Sequence, residues 1–371
     1  VNMFALSFVA MLAFVLAELL VLRFARRQAI PWREVIFNLN SGHILMWVLR
    51  GVELGAFALL LAHANLHIVD RWPPAAQWAF AFVGWDFCFY WMHRLHHKLP
   101  IFWAVHVVHH QGEHFNLSLG VRNSWYSSLT SLLFVAVLAV LGVPLEIFLL
   151  VSSFHYSVQL YNHNGLVNKS GILDRFLVTP SNHRVHHGID PRYLNKNFGG
   201  TLLVWDKLFG TYQPELDGVP MQYGVPGMVA TDNPLWASNG ALFGWVRRRF
   251  PDRRDGASPG FAVPELFIGI GGVILFALVI YYVDNEGRYP AARQLLLFAL
   301  IFAGSIALGG LSDGRRWGAL GWAAIALALP LTFIGGYGVR EPWGLCWLAL
   351  LLAHGLDTGR RLLSGRGGVP A

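Results

Sequence analysis

Charge is scarce in this sequence. Of 371 residues, 13% are Asp, Glu, Lys or Arg and 55% are hydrophobic, whereas soluble domains carry about 25% charged residues. The shortage excludes an ordinary water-soluble enzyme, because the apolar residues gather into long runs. Residues 1–22 hold one charge, Glu18; residues 261–283 hold one, Glu265; residues 294–311 hold none. A membrane-spanning helix needs roughly 20 mostly apolar residues. Cysteine is scarcer still. Cys88 and Cys346 are the only two, both inside apolar runs, so neither a disulfide framework nor a thiolate metal site is available, and both read as small buried apolar side chains.

The formal charge of +7 does not indicate nucleic acid, since no basic stripe interleaves with aromatics. The cations cluster instead at the ends of apolar runs: Arg23, Arg26, Arg27 and Arg33; Arg94 and Lys98; Arg247, Arg248 and Arg249; Arg360, Arg361 and Arg366. Grouping in alternate loops is the positive-inside pattern. The first apolar run has its cations after it, as a retained helix with an outside N-terminus would, rather than a cleaved signal peptide. Val1, where a start methionine would stand, points to an alternative start or a trimmed chain.

The pattern predicts an all-α, multi-pass integral membrane protein. Spans are expected at about 3–22, 44–61 and 75–92. A helical hairpin is expected over 125–160, broken at Gly142-Val143-Pro144, and four further spans at 262–283, 295–311, 320–334 and 345–356. Between them, 161–260 is polar. No internal repeat or low-complexity tract occurs. Three segments follow: N-terminal transmembrane helices (1–74), a catalytic core (75–260) and a C-terminal transmembrane bundle (261–371), with 258–264 as the last boundary. Counting crossings puts the histidine-rich stretches on the cytoplasmic side, at the inner membrane if the source is bacterial.

Sixteen histidines carry the chemistry. The first box, His93-Arg94-Leu95-His96-His97, continues the third span. The second is His106-Val107-Val108-His109-His110, with Pro100 suited to open its helix and Gly112 to end it. The third is His183-Arg184-Val185-His186-His187, with Ser181 or Asn182 to cap its start and Gly188 to end it. Offsets of three and four put ligating rings on one helical face. Imidazole suits iron, copper, nickel or zinc, and a closed zinc site takes only four donors. Eight box histidines therefore point to two metal ions held close together with open positions for catalysis. His163 is a candidate ninth ligand. His96, rotated away, reads as a hydrogen-bonding group; His114 and His155 read as supports for ligands. His43, His63, His67 and His354 read as interfacial or structural.

Two carboxylates are candidate catalytic residues. Asp86 lies two helical turns, about 10.5 Å, before His93. It cannot reach the same ion and, in an apolar run, should be paired with a histidine of another box or with Arg122. Glu113 follows the second box and could orient a ligand or relay a proton, or simply be a solvated turn residue. Trp85, Trp91, Trp103 and Trp125 either line a lipid passage or form an interfacial belt.

Residues 86–236 resemble the fatty acid hydroxylase/sterol desaturase superfamily, and within it the alkylglycerol monooxygenases. The likeness rests on Asp86-Phe87-Cys88-Phe89-Tyr90-Trp91-Met92-His93-Arg94, on the second box with Glu113, Asn116-Leu117-Ser118 and Arg122, and on Thr179-Pro180-Ser181-Asn182 leading into the third box. Asn195-Lys196-Asn197-Phe198-Gly199-Gly200 and Trp205-Asp206-Lys207-Leu208-Phe209-Gly210-Thr211 extend it, with Tyr223-Gly224 and Asn233-Pro234-Leu235-Trp236 beyond. The resemblance implies a helical membrane fold, two non-haem irons (a diiron centre) and O2-dependent hydroxylation or desaturation of a membrane lipid, whether fatty acyl, sterol-like or ether lipid. It implies metal ligation by His93, His97, His106, His109, His110, His183, His186 and His187, with His163 as the ninth. Lys98 departs from the pattern, since an acidic residue follows the first box in alkylglycerol monooxygenases. That departure counts against ether-lipid specificity and tetrahydrobiopterin dependence. With no cytochrome b5-like domain in the sequence, electrons are expected from an external donor. A zinc-dependent membrane hydrolase is the first rival, but no HExxH pattern occurs. A metal transporter is the second, but it would place ligands at the bilayer midplane.

Overall fold

A computed structural model describes residues 3–41, 43–228, 231–247 and 261–364. Its helices are α1 (Met3–Phe24), α2 (Trp32–Asn40), α3 (His43–His63), α4 (Pro74–Lys98), α5 (Pro100–His110), α6 (Ser127–Val140) and α7 (Leu145–Asn162), then α8 (Pro180–His187), α9 (Val204–Leu208), α10 (Pro234–Arg247), α11 (Glu265–Asp284), α12 (Ala291–Ser312), α13 (Arg316–Pro330) and α14 (Pro342–Leu363). Among the described residues no strand forms, and one isolated bridge joins Leu177 to Leu202. The all-α expectation holds. Residues 258–260 of the expected boundary, with Arg248, Arg249 and Arg366, lie outside the described residues.

Among the described residues, five helical stretches are long and apolar enough to cross a membrane: Phe4–Ala25, Trp32–His63, Glu265–Asp284, Ala291–Ser312 and Arg316–Gly336. Three expected crossings are not among them. The α4 helix carries Asp86 and the whole first box, α14 carries His354 and Asp357, and in the hairpin α6 has only 14 residues while α7 holds Ser152, His155 and Gln159. These polar groups lower the mean hydropathy of helices that still form where their apolar runs lie. The hairpin turns where expected. Gly142 has φ +92°, which a side chain would disfavour, and Pro144 leads into α7.

The chain divides into two compact units. One comprises Val1–Leu45, Val229–Gly240 and Phe250–Ala371, and the other Met46–Met228 with Ala241–Arg249. In the first, α11 packs against α1, α2, α12 and α14, so the N-terminal helices share a unit with the C-terminal bundle. Close approach depends on missing side chains: a Cβ at Gly272 would lie 2.3 Å from Ile36, and one at Gly355 2.1 Å from Ala326. In the second unit α4 packs against α5, α6 and α7, over a core that includes Phe57, Trp85, Leu138 and Phe148. Part-exposed Arg50 and buried Glu53 form an ion pair at 2.6 Å in α3. Ser131 donates to the Glu53 carboxylate, and Arg50 donates to Ser152, which ties α3 to α6 and α7.

Candidate metal centre

Two short helices and the ends of two longer ones deliver the imidazoles. The last two turns of α4 carry His93 and His97, α5 carries His106, His109 and His110, α8 carries His183, His186 and His187, and His163 follows the last residue of α7. The helices α4, α5 and α8 each open on proline, whose absent N–H would have had no helical partner. Ser181 and Asn182 do not cap α8, contrary to expectation. Pro180 already starts the helix, Thr179 holds the cap position with its hydroxyl turned to Asp174 rather than to the helix N–H groups, and Asn182 instead donates to Asp174 O and Leu177 O. Gly188 does end α8, in extended rather than left-handed backbone; a Cβ there would meet the Tyr193 ring at 2.8 Å.

All nine histidines converge, in two groups. His93, His97, His106, His110 and His186 form one, and His109, His163, His183 and His187 the other, with ring nitrogens in each group within 4.8 Å of one another. The groups adjoin, since the His110 and His187 ring centroids are 4.4 Å apart.

The nitrogens face each other at separations that a hydrogen-bond network does not explain. His163 Nε2 lies 3.0 Å from His183 Nε2 and 3.2 Å from the Nε2 atoms of His109 and His187. His106 Nε2 lies 3.1 Å from that of His93 and 3.2 Å from that of His110. Four rings have a fixed tautomer, because their Nδ1 donates to a main-chain carbonyl, which can only accept. His93 donates to Phe198 O, His186 to Lys196 O, His109 to Arg122 O and His163 to Gln159 O, all at 2.8–3.0 Å. His109 and His163 therefore turn bare Nε2 lone pairs toward each other. Burial, reinforced in most by neighbouring rings, pushes all nine imidazoles below their ordinary value, His109 to about 4 and His186 to about 3. Neutral rings with inward lone pairs repel unless a cation lies between them. Two nitrogens bound at right angles about 2.1 Å from one ion would be about 3.0 Å apart, so these residues fit a metal in each group.

Two of the four carbonyl acceptors, Lys196 O and Phe198 O, come from the loop 195–200, and here the structure supplies what motif spacing did not. Asn195 and Asn197 adopt φ of +59° and +54°, a left-handed conformation that asparagine tolerates better than most residues. The Asn197 side chain donates to Asn182 O and Gln213 O. Asp206, quoted in the resemblance but given no role, accepts from Phe198 N, Gly199 N and the Thr211 hydroxyl at 2.7–2.8 Å. Asp86 holds the next stretch, accepting from Thr201 N, Leu202 N and Trp205 Nε1 at 2.8–3.1 Å. The expected pairing of Asp86 with a box histidine or Arg122 is thus corrected: main-chain donors reach it first. A Cβ at Gly199 would lie 2.8 Å from Leu202 O, and one at Gly200 2.7 Å from Phe89. The signal was present in the sequence as an aspartate in the apolar run of α4 and another following an Asn/Gly-rich loop, but most of their partners are main-chain atoms, which sequence does not name.

The other histidines sort as follows. His96 stays outside both groups, donating Nδ1–H to Met92 O and facing the Thr130 hydroxyl at 3.0 Å. His155 is buried, stacked on Trp85, with Nε2–H on Phe82 O and Nδ1 accepting from Thr201; it braces the Asp86 region and touches no ligand. His114 and Glu113 are exposed in the turn after α5, where Glu113 Cγ lies beside Gly224. His63 is exposed, and His67 pairs with Asp70 at 2.7 Å. His354 is a satisfied core residue between Trp322 Nε1 and Phe267 O. The side chain of His43 lies outside the described residues.

Of the four tryptophans, Trp103 makes ring contacts with box histidines, its centroid 5.1 Å from His97 and 5.6 Å from His110. Trp85 and Trp125 are buried, and Trp91 lies against Arg94 and Phe209. Phe115 covers the other group, 5.7 Å from His163 and from His187, with Tyr223 stacked on it. Cys88 is buried as expected. Cys346 is exposed, because it lies on an outer face of α14.

A helical membrane protein with histidine boxes converging from α4, α5 and α8, joined by His163 after α7, defines a class, and residues 78–211 match the fatty acid hydroxylase family. Among individual relatives, the chain is similar to alkylglycerol monooxygenase of Danio rerio, 38% identical over 221 residues covering 58% of this chain and 48% of the relative. It is 36% identical to alkylglycerol monooxygenase of Homo sapiens over 50% of this chain and 41% of the relative. It is 31% identical to ornithine lipid hydroxylase OlsE of Rhizobium tropici over 43% and 49%. The chain spans about half the length of the curated relatives it matches. No solved structure matches it significantly. The resemblance read from the boxes holds.

Proposed function

We propose that the chain is a membrane-embedded oxidoreductase that hydroxylates or desaturates a lipid with dioxygen at a pair of histidine-held iron ions. The observation that carries this reading is the five-plus-four arrangement of neutral imidazoles with nitrogens 3.0–3.2 Å apart. Five donors exceed the four of a closed zinc site, and the names of the relatives, monooxygenase and lipid hydroxylase, favour iron. When bound, iron supplies dioxygen activation, with electrons from an external donor.

The protein's own residues hold and shield. The nine histidines are the ligands. The four main-chain carbonyls fix ring orientation, and Asp86 acts as a positioning residue through the loop it anchors. Trp103 and Phe115 cover the two groups and exclude water. Glu113, exposed beside Gly224, is available to relay a proton or orient a ligand. Residues 75–260 form the catalytic core, between transmembrane segments 1–74 and 261–371. The arginines after α1 support a cytoplasmic placement of the centre.

Metal analysis of protein purified into lipid nanodiscs tests the reading. About two irons per chain, with lipid-stimulated oxygen uptake in the presence of a reductant, are expected. One tightly held zinc and no oxygen uptake would overturn it.

A further inference from the structure

We infer that the polar catalytic segment is seated in the bilayer through an apolar patch built from Gly171–Arg175, Phe176 and α9, whose partner is the lipid interface itself. Ile172, Leu173, Phe176, Val204 and Leu208 are 48–68% exposed, although they belong to a stretch otherwise rich in polar residues. Single exposed apolar residues are ordinary, but a contiguous group marks an interaction surface. Contiguity comes from the bridge of Leu177 to Leu202: Leu203 N donates to Phe176 O and Val178 N to Thr201 O, both at 2.9 Å.

Depth and charge identify the partner. Asp86 grips Thr201, Leu202 and Trp205, and Trp205 lies 4.9 Å from Phe87. This level of α4 is about 10.5 Å back from the first box. Val83 and Phe87, one turn apart on the same face of α4, are themselves exposed, so the patch continues an apolar helix face. Its rim is cationic. Arg175 and Lys207 are exposed, and Lys207 Nζ passes over the Phe176 ring to donate to Arg175 O. The nearby Asp174 is engaged by Ser170 N and Thr179. Apolar side chains beneath lysine and arginine heads match acyl chains beneath lipid phosphates. The inference is independent of the metal and of the reaction.

The test uses the full chain in nanodiscs of phosphatidylcholine and phosphatidylglycerol. A C346A background removes the exposed cysteine, leaving the buried Cys88. An environment-sensitive fluorophore is placed at Ile172→Cys, Phe176→Cys or Leu208→Cys, with Arg192→Cys as an exposed reference. At the three patch positions emission is expected to fall when the acyl chains are brominated and to resist aqueous iodide, the reverse of the reference. Iodide quenching at all three without bromine quenching would overturn the inference and leave the patch facing solvent, open to a soluble protein. Because no turnover is measured, the result is separable from the proposed chemistry.

Discussion

Replacing Asp206 with alanine tests how the metal centre is oriented. The carboxylate is fully buried and accepts from Phe198 N and Thr211 Oγ1 on one oxygen and from Gly199 N on the other. Without it the Thr211 hydroxyl still has Tyr90 OH at 3.0 Å, but the two main-chain N–H groups lose their acceptor. A buried unsatisfied donor costs about 1–3 kcal/mol, so the pair costs about 2–6 kcal/mol, enough to make the loop shift. Any shift turns Phe198 O away from His93 and Lys196 O away from His186. Groups that orient metal ligands change metal affinity by about 10–100-fold when removed, or about 1.4–2.7 kcal/mol. Asp206→Asn should fall between, since its amide keeps the oxygen facing Phe198 N but sets an NH2 against Gly199 N. The assay is metal retention against a graded chelator in nanodiscs, with thermal unfolding alongside. If Asp206→Ala lowers the melting temperature yet holds metal as tightly as the parent, the loop carbonyls do not orient the ligands and the reasoning fails.

Three further outcomes are expected. His163→Ala should lose metal from the four-histidine group while His96→Ala keeps the full complement; equal loss in both variants, read by metal content, would contradict the grouping. Gly200→Ala should cost about 1–3 kcal/mol by overpacking, because its Cβ would press on Phe89, itself stacked on Trp85. Gly55→Ala, with nothing within 4 Å, should not, and a matched pair of unfolding curves decides. Glu53→Ala should destabilise by less than the about 3–5 kcal/mol of a fully buried pair, since the stranded Arg50 is part-exposed and keeps Ser152; an unchanged melting temperature would show that the pair contributes nothing.

The sequence was informative where function depends on periodicity. Three boxes at offsets of three and four gave the box helices, Pro100 gave the start of α5, and Gly142-Val143-Pro144 gave the hairpin turn. His163 was harder, being alone in its stretch, and only the folding of α7 back against α8 brings it into the second group. What sequence could not supply was pairing through main-chain atoms. Asp86 was correctly read as buried and partnered, but its partners are two peptide N–H groups and an indole. The helices α4 and α14 form where their apolar runs lie, yet side chains such as Asp86 and Asp357 lower their mean hydropathy without shortening them.

Four of the nine rings are aimed by peptide oxygens belonging to Phe198, Lys196, Arg122 and Gln159. An oxygen of that kind survives almost any codon change at its own position. Genetic vulnerability is therefore displaced from the residues that touch the rings to those that shape the path of the chain beneath them. A scan replacing Lys196 would be silent, while the same scan at Gly199, three steps further along the loop that contacts the rings through Lys196 and Phe198, would not.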